Sequence, residues 1–488
     1  MPQIRGVFLV FVIMTILCVP FTHGSSELSQ NSRDILYEAS RTTQTLREGL
    51  LVKVLPDIAV AQAKASDQIA AKETFTRARI LVTAMEEDPI RAADAAEALV
   101  GIAVAQGKAD MRDAMRVTFE QALRQANRIS ELRSRFNALQ TIAIAQAKVK
   151  ETTSAQQTFE QLFATSKTPG TPGTIIPGEL LYLRIHGAVK VAEGYWDAGN
   201  EKLAETALQR ALLLLTDFRQ VASSSPDSLS YLDNLQEIAS LQAKMGKVKL
   251  AESTLQNLYD KSHDPSSKIT ATLSVVRSLL EANKNTLAEH YLQSGIHMTK
   301  ELALDDAQLQ SFVSSRIWKE IALAKATLGD LNGAIQADAN VSVDSQKGNE
   351  TAYRIIGQLH AGDLNGAAQS VQSWSTAQID AQMLSEIVVM QSQAGNTKET
   401  VRAFNILSEV IRGDKGLKQH KAMLNTTEQP PAFLMAIRAV TAARAATGDI
   451  KESILWARKQ DSPDEIVYAL LGVAEGMTQF EWKASSVR

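Results

Sequence analysis

The chain has 488 residues; 45% are apolar but only 5% aromatic, so its apolar content is mostly Ala, Leu, Val and Ile. Ala and Leu favour helices, and alanine lets helices approach closely. With 51 basic against 54 acidic residues, the formal charge is −3, without the basic excess that a nucleic-acid binder needs to neutralise phosphates.

At the N-terminus, Met1–Arg5 gives a short positive start, Gly6–Phe21 is an apolar run, and Thr22-His23-Gly24 resembles a small-residue cleavage site. The run is shorter than the roughly 20 residues of a membrane span, and Pro20 lies near its end. Residues 1–24 are therefore expected to be a cleaved signal peptide. The alternatives are a retained anchor and lipidation at Cys18, the latter opposed by Leu17 where a small residue belongs. Cys18 is the only cysteine, so the cleaved chain is expected to have no disulfide, thiolate–zinc site or cysteine nucleophile. The expected location is exported, periplasmic or secreted, with no stable membrane span after cleavage. The lack of cysteine leans towards a bacterial periplasm.

Beyond the leader the sequence repeats. Ile58-Ala59-Val60-Ala61-Gln62-Ala63-Lys64 returns as Ile102–Lys108 and Ile142–Lys148, each copy followed by a second amphipathic stretch carrying Thr-Phe (Thr74-Phe75, Thr118-Phe119, Thr158-Phe159). A polar residue closes the first helix and a small one follows four positions later. The pairs are Asp67/Ala71, Asp110/Ala114, Glu151/Ala155, Asn200/Ala204, Lys247/Ala251, Lys284/Ala288, Asp330/Ala334, Asp363/Ala367, Asn396/Thr400 and Asp449/Ser453. A small side chain is required where the second helix crosses the end of the first. Glycine before the polar residue (Gly199, Gly246, Gly329, Gly362, Gly395, Gly448) permits a left-handed helix end, and Asp or Asn caps the next helix.

These markers divide the chain into residues 25–166 (repeats 1–3), a Pro/Gly loop at 167–179, residues 180–480 (repeats 4–10 and a capping helix) and a tail at 481–488. The loop Lys167–Glu179 is a candidate hinge or subdomain boundary; Ala222–Ser228 and Arg412–Pro431 are further inserts. Glu465–Met477 reads as the first helix of an eleventh unit with no full partner.

The glycine–polar–three residues–alanine turn between paired helices resembles tetratricopeptide repeats, best at Gly329-Asp330…Ala334 and Gly362-Asp363…Ala367. The resemblance covers most of residues 40–480, although the family's first-helix aromatics are mostly aliphatic here. It implies an all-α, right-handed α-solenoid of about ten helix–turn–helix repeats with a C-terminal capping helix. It also implies a concave surface, lined by the first helices, suited to peptides or partner proteins.

The expected catalytic, cofactor and metal residues are none. His290 and His297 are seven apart but lack acidic or cysteine co-ligands in a metal spacing. Gly170, Gly173 and Gly178 lie among prolines without the Gly-Lys-Ser/Thr ending of a phosphate loop. Adjacent Glu86-Glu87 diverge on a helix. Arg412, Lys415, Lys418, Lys421 and His420 suit either an acidic partner or a solvated loop. Sequons begin at Asn340, Asn349 and Asn425. Tyr195-Trp196, Trp318, Trp374 and Trp456 read as inter-repeat packing before ligand platforms.

The leading expectation is a non-enzymatic scaffold binding a protein or peptide partner, with Gln62, Gln106 and Gln146 as groove positions; helix-to-helix hydrogen bonds are the other reading of those glutamines. The rival is a superhelical or toroid-type enzyme acting on envelope or extracellular glycans, which calls for paired carboxylates and aromatic platforms. A tethered envelope component is a third reading, if the leader is retained.

Overall fold

A computed structural model describes residues 25–86, 91–165, 177–221, 229–302, 307–341, 349–361, 381–413 and 432–477, together with Asp363, Gly366, Gln369 and Ser370. These residues form 21 α-helices and one short 3-10 turn, with no strand among them. The chain is an all-α solenoid. The expected leader, residues 222–228, Gly362, Ala367, Trp374 and the basic positions 415–421 lie outside the described residues. Of the Pro/Gly loop, Pro177–Glu179 already belong to a helix.

After α1 (Ser25–Thr42) and the 3-10 turn Thr43–Thr45, the chain runs as hairpins. The first helices are α2 (Glu48–Lys64), α4 (Ala92–Lys108), α6 (Leu132–Lys148), α8 (Pro177–Asp197), α10 (Leu229–Lys244) and α12 (Pro265–Glu281), then α14 (Ala307–Thr327), α16 (Asn349–His360), α17 (Ala381–Gln393), α19 (Ala432–Ala446) and α21 (Pro463–Met477). Their second helices are α3 (Gln68–Glu86), α5 (Arg112–Arg128), α7 (Thr152–Thr165), α9 (Glu201–Val221) and α11 (Val248–Lys261), then α13 (Asn285–Lys300), α15 (Leu331–Asp338), α18 (Thr397–Gly413) and α20 (Ile450–Arg458). The partner of α16 falls largely outside the described residues.

One turn is used throughout. Gly199, Gly246, Gly329, Gly395 and Gly448 have φ between 75° and 92°, and Ser66, Asp110, Lys150 and Asn283 take the same left-handed position at 55–66°. Except after Gly448, the next N–H then donates back to the carbonyl five residues earlier, as from Asp67 to Gln62 (2.9 Å) and from Asn200 to Tyr195 (2.8 Å). This satisfies carbonyls that a helix end leaves orphaned. Asp67, Asn200, Asp330 and Asp363 also accept from the amide three residues on, as N-caps.

The crossing residue is small and buried at Ala71, Ala155, Ala204, Ala251, Ala288, Ala334, Thr400 and Ser453. The pair Asp110/Ala114 is out of register. Asp110 itself takes the left-handed position, Met111 opens the helix, and Met115 is buried at the crossing while Ala114 is exposed. Methionine fits because the facing residue is Gly107; a Cβ there would stand 2.9 Å from the Met115 Sδ.

Successive first helices pack on one another, while the second helices have only sparse contacts with each other among the described residues. Closer approach on one layer curves the stack with the first helices inside. The apolar core runs from α6 into α8, where Phe136 meets Gly187.

The stack closes into a ring. α21 is no free cap: α1 lies along it as the missing second helix, and Ile35, Leu36 and Ala39 share one buried cluster with Val467, Leu470 and Leu471. Eleven units result, the last assembled from the two ends of the described chain. Arg458 on α20 bonds Glu38 on α1 through Nε (2.8 Å) and Nη2 (2.6 Å). Arg438 on α19 is buried between Glu475 of α21 and Asp57 of α2. Burial opposes its charge, but the two carboxylates hold its pKa above the ordinary arginine value.

Candidate functional site

In α8, α10, α12 and α14 the more accessible face is a stripe at spacing 0, 4, 7 and 11, the repeat of one helix face. In α8 the stripe is His186, Lys190, Glu193 and Asp197; in α10 it is Asp233, Glu237, Ser240 and Lys244. In α12 it is Thr270, Ser274, Arg277 and Glu281, and in α14 Arg316, Glu320, Leu323 and Thr327.

Polar bonds join these stripes from helix to helix. His186 Nδ1 lies 2.8 Å from Glu237, and Tyr182 stacks on the imidazole. Ser240 donates to Ser274 (2.9 Å), and Arg277 to Glu320 (3.2 Å). Lys244 is the hub, with Asp197 at 3.0 Å, Glu193 at 3.3 Å and Glu281 at 3.5 Å, so one ammonium ties three units together. Burial disfavours that charge; the bond to Asp197 and the field of the three carboxylates outweigh it and raise its pKa. Asp233 is also raised, by burial and then by the neighbouring Glu237.

The third stripe position tells a second story. It is polar in α8, α10 and α12 (Glu193, Ser240, Arg277) and apolar elsewhere: Val60, Val104 and Ile144 before them, Leu323, Ile356 and Val389 after. Leu323 is 44% exposed, the one large apolar side chain so exposed on a described first helix. A cleft of ≈ 310 Å³ opens beside it between α12, α14, α16 and α17, lined by Leu280, Leu323, Ile356 and Met390 with Arg277 and Glu320 among its polar residues. Its polar end is thus the last ion pair of the charged arc. The arrangement suits an apolar side chain flanked by hydrogen-bonding groups.

The three glutamines expected in the groove lie elsewhere. Gln62, Gln106 and Gln146 are 2–4% exposed, and their Oε1 atoms accept from Thr74 (2.7 Å), Thr118 (2.8 Å) and Thr158 (2.8 Å) in the second helix of the same hairpin. The helix-to-helix reading describes them. Gln242–Thr254 and Gln358–Ser370 repeat the bond. Lys325 and Arg444, at the glutamine position of other units, reach the capping residues Asp330 and Asp449 instead.

His290 and His297 are exposed on α13, the latter 3.4 Å from Glu301. No group of three or more metal-ligating side chains occurs among the described residues. Tyr195 is buried, and Trp196, Trp318 and Trp456 pack against the core. No described helix is long and apolar enough to cross a membrane. Sequence reasoning missed the inner stripe because its residue types change from unit to unit; only the spacing recurs.

No family model matches the chain, and no curated protein matches it. Among solved structures, one described as a "circular tandem repeat protein with novel repeat topology and enhanced subunit contact surfaces" is similar over 92% of this chain and 98% of that one. Identity is 14% and the TM-score 0.32.

Proposed function

We propose that the chain is an exported, non-enzymatic scaffold that holds a protein or peptide partner on the inner face of its ring. The observation that carries this reading is the cleft at Leu323, where exposed apolar surface meets the end of the charged arc. Apolar pockets with a few placed polar groups are the usual form of a recognition site. Stacked helical units present such surfaces at fixed spacing to an extended partner. Export rests on the leader at residues 1–24.

The glycan-enzyme reading draws on the closed ring and on Asp233 and Glu237, one turn apart beside His186. Its aromatic groups are engaged with the protein: Tyr182 stacks on His186, and Trp196 and Trp318 pack partly buried against the core.

Affinity capture from the extracytoplasmic fraction tests the scaffold, with the wild-type chain and a Leu323→Glu variant as baits. A partner retained by the wild type and reduced at least about tenfold by the variant is expected, the loss being of the order of one buried apolar contact. Equal retention by a variant of unchanged helix content, or glycan turnover by the purified chain, overturns it.

A further inference from the structure

The described second helices of the other hairpins follow their first helices through a tight turn, but α1 reaches α21 from the opposite end of the chain. At this seam the first helices meet only thinly, since α2 touches α21 at few points. Continuity of the ring across the seam therefore passes through α1 and through the bond from Arg438 to Asp57, which opening must also break. Of the described side chains of α1, Ile35, Leu36 and Ala39 are buried, whereas Tyr37 is 65% exposed. Polar bonds fasten the helix as well. Arg33 donates to the carbonyls of Ala65 (3.1 Å) and Ser66 (3.0 Å), Arg77 to that of Ser40 (3.1 Å), and Arg458 to Glu38. No tight turn joins α1 to α21, so α1 can leave as a local opening without a hairpin connection being pulled apart.

We propose that the seat of α1 is an exchangeable helix-binding site: α1 leaves it, the ring opens between α21 and α2, and the vacated seat takes α1 of a second copy of this chain. The seat specifies its occupant. It offers an apolar bed beside α21 for an Ile-Leu-x-x-Ala face and, at Arg458, a guanidinium that matches Glu38. A helix identical to the one released meets both requirements. Exchange of an identical terminal element is the least costly route by which a folded chain pairs with itself.

The test uses the full chain and a fluorescent peptide of residues 25–45. Uptake of one peptide per chain is expected. Glu38→Ala in the chain loosens its own clasp while leaving Arg458 for the incoming peptide, so uptake rises about 2- to 5-fold, the worth of an exposed ion pair. The same substitution in the peptide lowers uptake by a similar factor. In a Cys18→Ser background, Glu38→Cys and Arg458→Cys joined by a bis-maleimide hold the clasp shut and abolish uptake. Sedimentation of the concentrated wild-type chain shows dimer, and the cross-linked variant shows none. Peptide uptake unaffected by the cross-link, no uptake even by the Glu38→Ala chain, or a chain monomeric at every concentration overturns the proposal; circular dichroism checks that each variant keeps its helices.

Discussion

Arg438 donates from Nη1 to Asp57 at 2.6 Å although 381 residues separate them, while its other nitrogens hold Glu475. The arginine and Glu475 side chains are 8% and 7% exposed, whereas Asp57 is 39% exposed. Removing the arginine leaves Glu475 buried without its cation. Arg438→Ala is expected to cost about 3–5 kcal/mol, and Asp57→Ala, whose carboxylate keeps contact with water, about 1 kcal/mol or less. Urea unfolding monitored by helix signal separates the two. Similar losses for both would show that the pair acts as a surface bridge.

Next to this network α19 and α21 approach backbone to backbone. A Cβ on Gly472 would overlap the carbonyl of Arg438 and the hydroxyl of Thr441, and one on Gly476 the carbonyl of Ala442. Gly472→Ala is expected to destabilise by about 1–3 kcal/mol through overpacking. Gly101→Ala on α4 has nothing within 4 Å and is expected to stabilise by about 0.5–1 kcal/mol, because alanine loses less chain entropy in a helix. Opposite signs in thermal unfolding bear out the contrast; two stabilising glycine replacements would mean that the helices yield.

The hairpins were legible because a left-handed helix end and a small crossing residue are local requirements, met within a few positions. The one slip among the described pairs, Asp110/Ala114, is local too: the polar marker itself took the left-handed position and Gly107 made room for Met115. Ring closure was not legible. The features that recognise α1 lie about 400 residues away on α20 and α21, and nothing in Ser25–Thr42 marks it as the partner of Glu465–Met477. Gln62, Gln106 and Gln146 stood out by repetition, yet what repeats in a solenoid is what holds each unit together. The inner stripe varies between units and offers no such signal.

Gln62 and Gln106 make the same bond with different reserves. Without Gln62, the Thr74 hydroxyl is buried and loses its side-chain acceptor, whereas Thr118 also lies 2.9 Å from the carbonyl of Ala114 and keeps it when Gln106 is replaced. Gln62→Leu is expected to cost about 1–3 kcal/mol and Gln106→Leu less. Adding Thr74→Val to Gln62→Leu should recover part of the loss, because removing both partners leaves no polar group unpaired. A double-mutant cycle in urea checks this; strictly additive losses would mean the hydroxyl and amide do not interact.

Asp233 carries the pH dependence of the inner arc. Burial, then Glu237 one turn along α10, raise its pKa above the ordinary 3.8. A carboxyl raised in the folded state contributes stability that is full below 3.8 and is lost as pH rises through the elevated value, where the folded chain must ionise a group it disfavours. Asp233→Asn never ionises. It is therefore expected to be more stable than the wild type at neutral pH, and the gain should vanish as the pH falls below 3.8. His186 faces Glu237 from α8 and is present in both proteins, so the difference between their urea midpoints isolates Asp233. A difference that is constant across pH would show that the asparagine acts through packing and would remove the carboxylate repulsion from the account of this face.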